Sequence, residues 1–337
     1  MYKKLSYLLT FAFLLAASSC AEARPQDGEG QTVAPPEYAP DAAEAGYTPQ
    51  RQIRLITLAA PLTGGEWMPV KKRGLQKDYT AQDVLEMIAD LQPTCLERYI
   101  TGYHNPDRLV PVREGCPPMT VKEFLNASLQ AAAPGCEIVP KLNLQWLGTE
   151  NGRKLFWESA EKLYALDLVR PVRNINLDCW DHYCKEIHTT PEQRHEMFAR
   201  LRSIGYEKIG MNFTGLYGKN DPDIDYGDFN IDKENWVVKE AAVNKLRAYP
   251  NVKDIYLYID YPGPMQAFME KDPDEQARIY TEVIYPSQEA LNIHFVYAII
   301  QDFWCASEVV TSEDGPYKGR TMYDITKELL FKPYENQ

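Results

Sequence analysis

The chain contains 337 residues, of which 45% are hydrophobic and 25% are charged, and its formal net charge is −12 at pH 7. This hydrophobic fraction is typical of a globular protein and excludes a chain that is disordered throughout. The excess of acidic side chains argues against a nucleic-acid partner, because proteins that bind nucleic acid present a basic face to its phosphates.

The first twenty residues have the organisation of an export signal. Lys3 and Lys4 precede an apolar segment at 5–17 that is too short to span a bilayer permanently. The Ala-Ser-Ser-Cys sequence that ends at Cys20 resembles the lipobox of bacterial lipoproteins. The resemblance implies cleavage before Cys20, lipidation there, and a protein anchored to the cell envelope, periplasmic or surface-exposed. Ala17 stands where that pattern prefers leucine, which leaves cleavage at a nearby site as the alternative.

Residues 21–50 are rich in Ala, Pro, Glu and Gly without periodicity, which predicts a flexible linker, so the folded domain is expected at 51–337. There, short apolar runs alternate with amphipathic stretches. Strands are predicted at 53–60, 95–102, 137–144, 173–179, 208–214, 253–260 and 293–302. Helices are predicted near 80–91, 120–132, 151–166, 191–204, 234–248, 273–291 and 320–331.

Strands that alternate with helices predict an α/β fold with a parallel sheet. Their even spacing favours a TIM-type (β/α) barrel with seven or eight strands over an open, doubly wound sheet. No glycine-rich turn follows the first strand, so a dinucleotide-binding fold lacks its fingerprint. An eighth strand is expected near 305–311, unless the barrel has seven. Long loops follow the strands, at 61–79, 102–119, 180–190, 214–233 and 303–319, which predicts an elaborated C-terminal face.

Polar residues recur at the ends of the predicted strands. Barrel interiors are normally filled by branched apolar side chains, and barrel active sites lie at the C-terminal ends of the strands, so these residues predict a site. The segment Asn174–His182 is its centre, because Asn174, Asn176 and Asp178 share one face of a strand. The predicted substrate-binding residues are Glu97, His104, Lys141, Asn143, Gln145, Trp146, Asn176, Trp180, Asn212, Tyr258, Gln301 and Trp304.

Four tryptophans follow predicted strands: Trp67, Trp146, Trp180 and Trp304. Tryptophan beside polar groups offers a flat apolar platform with hydrogen-bonding partners at its rim, which suits a sugar ring. The pattern therefore predicts a carbohydrate ligand. The alternative for one or two of them is that they cap the barrel core.

Glycoside hydrolysis requires two carboxyl groups, and Asp178 with Asp260 is the predicted pair, with Asp181 and Asp302 as substitutes. The Asp178-Cys179-Trp180 segment and Asp260 resemble the arrangement in the α-galactosidase and α-glucosidase clan of barrels. That resemblance implies that Asp178, after the fourth strand, is the nucleophile and Asp260, after the sixth, the acid/base. A non-catalytic carbohydrate-binding barrel is the alternative, because Asn, Lys and Gln contribute much of the predicted lining.

Metal binding is the weaker prediction. Asp178, Asp181 and His182 have suitable side chains, but no other histidine ends a strand with ligand spacing, so no metal is predicted there. The run Asp221–Asp232 resembles a calcium loop whose glycine comes one position late. A solvated acidic loop is favoured, with calcium at Asp221, Asp223 and Asp225 as the alternative.

Two of the remaining cysteines, Cys95 and Cys136, each begin a predicted strand. An exported protein can form disulfides, so a bond between neighbouring strands is one interpretation. Buried thiols are the slightly favoured one.

Overall fold

The computed structural model describes residues 55–57, 80–99, 105–178, 191–212, 223–230, 240–247, 251–252, 254–258, 270–286 and 309–331. All of these residues belong to one unit of the chain, Asp41–Gln337. Within these ranges, none of the helices combines the length and the apolar composition needed to cross a bilayer.

Six of the described strands lie close to where the sequence predicts them, and three were not predicted. They are β1 (Leu55–Thr57), β2 (Cys95–Tyr99), β3 (Leu109–Val110), β4 (Met119–Thr120), β5 (Glu137–Asn143), β6 (Asn174–Asp178), β7 (Lys208–Asn212), β8 (Tyr226–Asn230) and β9 (Asp254–Tyr258). The short strands β3 and β4 form a separate antiparallel hairpin. The other described strands form one parallel sheet in the order β1-β2-β5-β6-β7-β8-β9.

Helices follow most of these strands, and two of them begin with a capping box. The helices are α1 (Ala81–Leu91), α2 (Val121–Ala131), α3 (Glu150–Tyr164), α4 (Pro191–Ile204), α5 (Glu240–Arg247), α6 (Pro273–Arg278) and α7 (Met322–Phe331), and a π-helical turn, Ile279–Ile284, continues α6. Thr80 and Thr120 each form a capping box, with Asp83 and Glu123 respectively. Each box satisfies backbone N–H groups that a helix start leaves without partners, which fixes where α1 and α2 begin.

The order of the strands decides between a barrel and an open sheet. Strand order in the sheet equals strand order in the chain, and parallel crossovers are almost always right-handed, so successive helices pack on the same face. The last helix also contacts the first, because Tyr323 and Lys327 of α7 bind the Asp90 carboxylate of α1. A doubly wound sheet would keep its first and last helices apart. The prediction of a (β/α) barrel is therefore confirmed.

The hydrophobic core lies between the sheet and the helices. Alternate strand residues pack against helix residues such as Phe124, Phe156 and Phe198, all of which are fully buried. These strand residues are Leu96, Ile138, Leu142, Ile175, Leu177, Ile209 and Met211. Burying each such side chain contributes about 1.5–3 kcal/mol, so this outer layer supplies much of the stability of the barrel.

One error in the predicted loops changes the strand count of the parallel sheet. Residues 226–230, inside the predicted loop 214–233, form β8 between β7 and β9. The predicted sixth strand, 253–260, is therefore the seventh of the sheet, and Asp260 follows the seventh strand in sequence. The prediction that Asp260 follows the sixth strand, as the acid/base of the resembled clan does, is therefore wrong in its strand number.

Two segments were predicted to complete the barrel after the seventh strand of the sheet. The predicted strand 293–302 lies outside the described residues, and with it the barrel would have eight strands. The alternative position near 305–311 is described from 309 onward, where Val310 forms only an isolated antiparallel bridge with Thr321.

The preferred interpretation of the two cysteines is confirmed. Cys95 and Cys136 are both buried thiols, and no disulfide joins them. Cys95 lies opposite Glu137 in the register, so Cys136, one residue earlier, has the opposite parity. The two thiols therefore belong to opposite faces of the sheet and cannot meet.

Candidate functional site

The sheet register brings polar residues side by side on the face that does not pack against the helices. Lys141 lies opposite Asn176, Asn176 opposite Gly210, and Gly210 opposite Tyr226. Lys141 and Asn176 are each 1% exposed. We call the positions in this line the lower row: Tyr99, Lys141, Asn176, Gly210, Tyr226 and Asp254.

A second line lies two residues further along each strand, toward the C-terminal ends. Asn143 is opposite Asp178, and Asp228 lies between Asn212 and Tyr256. The pairing of Leu177 with Met211, extended by one residue, brings Asp178 opposite Asn212. We call these five positions the upper row: Asn143, Asp178, Asn212, Asp228 and Tyr256. They occupy the end of the sheet at which barrel enzymes carry their active sites.

Tyr226 closes the interior beneath the upper row. Its hydroxyl donates to the carbonyl oxygen of Ile175 at 2.7 Å, so its side chain reaches from β8 across β7 to β6. Gly210 permits this crossing, because a Cβ there would stand 1.9 Å from the Tyr226 ring. The glycine is thus required by a close approach of a ring. Between β6 and β8, the Tyr226 side chain therefore occupies the layer beneath the upper row.

The N-terminal part of the interior is polar but already paired. The Asn174 side chain donates from Nδ2 to the Glu137 carboxylate at 2.8 Å. Asn174 is buried, so this bond satisfies a polar group that would otherwise lose its hydration without compensation. This pair serves the structure at the N-terminal end of the strands.

Trp146 lies in a 3₁₀ turn, Leu144–Gly148, that follows β5 directly. The Arg153 guanidinium donates to the Leu147 carbonyl at 3.0 Å and holds this turn against α3. Trp146 is partly buried and packs against the hydrophobic core. That contact agrees with the core-capping alternative for this tryptophan.

The structure describes only part of the predicted site. Glu97, Asn143, Asn212 and Tyr258 occupy strand positions with the same parity as Lys141, Asn176 and Asp178, and Gln145 lies in the 3₁₀ turn. Seven predicted residues lie outside the described ranges: His104, Trp180, Asp181, Asp260, Gln301, Asp302 and Trp304. The catalytic and binding roles of all of these residues stay predictions.

Sequence reasoning missed Asp228, because β8 was expected to be a loop. The register brings Asp228 into the upper row, two strands from Asp178. A signal was available: Tyr226, Asp228 and Asn230 alternate with Gly227 and Phe229, which is the period of a strand. The acidic residues just before it concealed this alternation.

Two carboxylates of the calcium-like run have basic or backbone partners. Asp223 accepts from Nδ1 of His195 at 2.8 Å. Asp225 binds the Arg202 guanidinium and accepts from the backbone N–H of Ile209 at 2.7 Å. Across the described part of the chain, no three His, Cys, Asp or Glu side chains gather as a metal site requires. Asp221 lies outside it, and calcium here stays a prediction.

No family model matches the sequence, and no curated protein sequence matches it. Among solved structures, the glycoside hydrolase domain of PgaB (BpsB) from Bordetella bronchiseptica aligns with 73% of this chain and 93% of its own, at 9% identity and a TM-score of 0.40. The endo-1,4-beta-D-mannanase of Thermotoga petrophila RKU-1 aligns with 73% of this chain and 87% of its own, at 11% identity and a TM-score of 0.38. Similarity at this level assigns neither a family nor a substrate.

Proposed function

We propose that this protein is a glycoside hydrolase whose paired carboxyl groups belong to Asp178 and Asp228 of the upper row. One observation carries the proposal: two aspartates share one line of the register, at the C-terminal ends of barrel strands, above a buried polar layer. A barrel interior needs no carboxylates for packing, because branched apolar side chains normally fill it. A catalytic role accounts for retaining two.

The spacing of the two strands fits the chemistry. Neighbouring strands lie about 4.8 Å apart, so Cα atoms two strands apart are separated by roughly 10 Å. Glycosidases hold their carboxyl groups about 5–5.5 Å apart when they retain the anomeric configuration and about 6.5–9.5 Å apart when they invert it. Aspartates at two such backbone positions are therefore close enough for their carboxyl groups to fall within that range. Asp260 remains the second candidate for the partner of Asp178, with Asp181 and Asp302 after it.

The surrounding residues suit a carbohydrate. Asn143 and Asn212 of the upper row carry amides, which both donate to and accept from sugar hydroxyls. Lys141 and Asn176 lie one step below, and Glu97, His104, Gln145, Tyr258 and Gln301 extend the polar lining in the proposal. Trp180 and Trp304 are proposed as the apolar platforms for sugar rings, whereas the core contact of Trp146 favours a packing role for that ring.

A non-catalytic carbohydrate-binding barrel is the second candidate. The same upper row favours it, because Asn143 and Asn212 are neutral groups that bind hydroxyls without taking part in proton transfer. In that case the two aspartates would accept hydrogen bonds from the sugar.

The cellular context is part of the proposal. With export by the N-terminal segment and lipidation at Cys20, the substrate is an extracytoplasmic glycan and the enzyme stands on the cell envelope. Mass spectrometry of the membrane fraction tests this step, and an intact amino terminus without lipid would contradict it.

The function is tested with a panel of α- and β-linked glycans, measuring the release of reducing ends and equilibrium binding separately. Asp178→Asn and Asp228→Asn should each lower turnover about 10²–10⁴-fold while binding persists. Asp260→Asn should change turnover far less than Asp228→Asn. Asp167→Asn is the matched control, because that carboxylate is 95% exposed on the outer surface.

The possible outcomes separate the candidates. Binding without hydrolysis by the wild-type protein would support the binding barrel. Neither binding nor hydrolysis across the panel would contradict both. A larger loss for Asp260→Asn than for Asp228→Asn would return the second carboxylate to Asp260.

A further inference from the structure

The two aspartates of the upper row differ in the charge of their nearest diagonal neighbour: it is a lysine for Asp178 and an aspartate for Asp228. Lys141 lies one strand away from Asp178 and one step below it, since Lys141 pairs with Asn176 and Asn143 pairs with Asp178. Asp254 stands in the mirror relation to Asp228, because Tyr226 pairs with Asp254 while Asp228 pairs with Tyr256. A cation is thus the diagonal neighbour of one carboxylate, and an anion is the diagonal neighbour of the other.

We propose that this asymmetry assigns the two catalytic roles: Lys141 keeps Asp178 ionised, as base or nucleophile, and Asp254 keeps Asp228 protonated, as the acid. The inference rests on the proposed function, because it divides the labour between the two carboxyl groups named there. A glycosidase needs one carboxylate and one carboxylic acid at the same time, and neighbours of opposite charge push two similar groups into those two states.

The distances favour this division. Diagonal neighbours in a sheet lie roughly 7–8 Å apart at their Cα atoms, within the reach of a lysine side chain. Lys141 is 1% exposed, so its field is little screened by water. Asp228 lies three strands from Lys141, roughly 14 Å away, and so receives much less of that field.

Among the described strands, few other titratable positions lie near Lys141. On β2, Glu97 and Tyr99 have the same parity, and Glu97 is the other carboxylate at a diagonal position. On β6, Asp178 is the titratable residue of matching parity. The 3₁₀ turn after β5 contains none, and across the interior Tyr226 has its hydroxyl bound to Ile175. The competing assignment is therefore that Lys141 serves Glu97.

Near Asp228 the balance differs. Asp254 on β9 is the diagonal carboxylate, and Lys208 on β7 lies two steps below the upper row and is exposed. Asp225, just before β8, is neutralised by Arg202. In the described strands, no lysine or arginine is a diagonal neighbour of Asp228 in the way that Lys141 is a diagonal neighbour of Asp178.

The first test needs no substrate. The free energy of unfolding is measured at pH 7 for the wild type, Lys141→Met, Asp178→Asn and the variant that carries both changes. A parallel double-mutant cycle uses Glu97→Gln in place of Asp178→Asn. We expect the Lys141 and Asp178 changes to be coupled by about tenfold or more in the unfolding equilibrium constant. The cycle of Lys122→Met with Asp167→Asn is the control, because that ion pair is exposed and should couple by about fivefold or less.

Two results of this test overturn the inference: additive effects of Lys141→Met and Asp178→Asn, or a stronger coupling of Lys141 to Glu97. If Lys141→Met does not fold, NMR titration of the lysine Nζ answers the same question in Asp178→Asn and Glu97→Gln. Lys141 should then lose its proton at a pH lower by about one unit or more in Asp178→Asn than in Glu97→Gln, and the reverse order overturns the inference.

The second test uses the pH dependence of turnover. An ionised base gives the acidic limb of the profile and a protonated acid gives the alkaline limb. Lys141→Met should move only the acidic limb, upward by about one pH unit, and Asp254→Asn should move only the alkaline limb, downward by a similar amount. The Asp167→Asn control should move neither. If the two variants move the opposite limbs or none, the assignment is wrong although the enzyme is a glycosidase. If no glycan is hydrolysed, the proposed function is wrong. The unfolding measurements then still report whether Lys141 interacts with Asp178, because they need no substrate.

Discussion

The two faces of the barrel sheet are built from the same strands but from different chemistry. On the side of the helices, Ile175 and Leu177 of β6 are fully buried in the hydrophobic core. On the inner side, the same strand carries Asn174, Asn176 and Asp178. The alternation of a strand therefore assigns stability to one face and leaves the other face available for a site. This difference leads to three predictions that compare residues of the two faces, and a fourth concerns the contact that closes the ring of helices.

The largest effect is expected from the helix-facing layer. Leu177→Ala removes a side chain that is fully buried between β6 and the helices, so it should lower the free energy of unfolding by about 2–5 kcal/mol. Activity per folded molecule should persist, because the residue belongs to the outer face. Urea denaturation with an activity assay measures both. Val169→Ala, at a site that is 53% exposed, is the control, and a loss below about 1 kcal/mol for Leu177→Ala would contradict the prediction.

The next effect concerns the inner face at Gly210. A methyl group there would collide with the Tyr226 ring, so Gly210→Ala should cost about 1–3 kcal/mol through overpacking. Removing the ring relieves the collision, so Gly210→Ala combined with Tyr226→Ala should lose less stability than the sum of the two single changes. Denaturation of the three variants tests this directly. Strict additivity would show that the ring does not depend on the glycine.

Two tyrosine hydroxyls allow a matched comparison of the faces. Tyr226 donates to the Ile175 carbonyl on the inner side, and Tyr206 donates to the Ala160 carbonyl at 2.8 Å on the helix side. Changing either to Phe should cost about 1 kcal/mol, since each change removes one buried hydrogen bond. Only Tyr226→Phe should also change glycan turnover or affinity, because it loosens the layer beneath Asp178 and Asp228. Equal effects on function would mean that the inner layer is structural only.

The smallest effect is expected where the helix ring closes. The hydrogen bond from Lys327, and then that from Tyr323, lowers the pKa of Asp90. Because the pKa of Asp90 is lower in the folded protein, its ionised carboxylate stabilises the fold above the unfolded-state pKa of about 3.8. That stabilisation is lost as the pH falls through the folded-state pKa. The side chain is 41% exposed, so Asp90→Asn should cost only about 0.2–1 kcal/mol at pH 7. Urea denaturation at pH 7 and at about pH 3 measures the free energy of unfolding of both proteins. The difference between wild type and Asp90→Asn should be smaller at about pH 3. A difference that stays constant would contradict the assignment.

The sequence was sufficient for elements with strong local signals. α1 and α2 begin at the threonines that carry the capping pattern, because a cap is a contact between residues three apart. β5 and β6 lie where short apolar runs predict them, and their alternation already separated Asn176 from Leu177.

The elements that the sequence concealed depend on distant partners. The segment Tyr226–Asn230 contains Gly, Asp and Asn, which are depleted in strands, and it becomes a strand because β7 and β9 pair with it on both sides. For the same reason Asp228 escaped the list of candidates. The close approach of Tyr226 to Gly210 and Ile175 joins three strands, and no local pattern announces such a contact.

The direction of β1 has a practical consequence for handling the protein. The chain enters the sheet at Leu55, level with Cys95 and Glu137, and the upper row begins at Asn143, six residues further along β5. At about 3.3 Å per residue, the entry point lies roughly 20 Å from Asp178 along the strand direction. A fluorescent label coupled directly at the start of β1 would therefore mark the end of the sheet that is remote from the upper row. Its distance to a ligand would then report which end of the strands that ligand occupies.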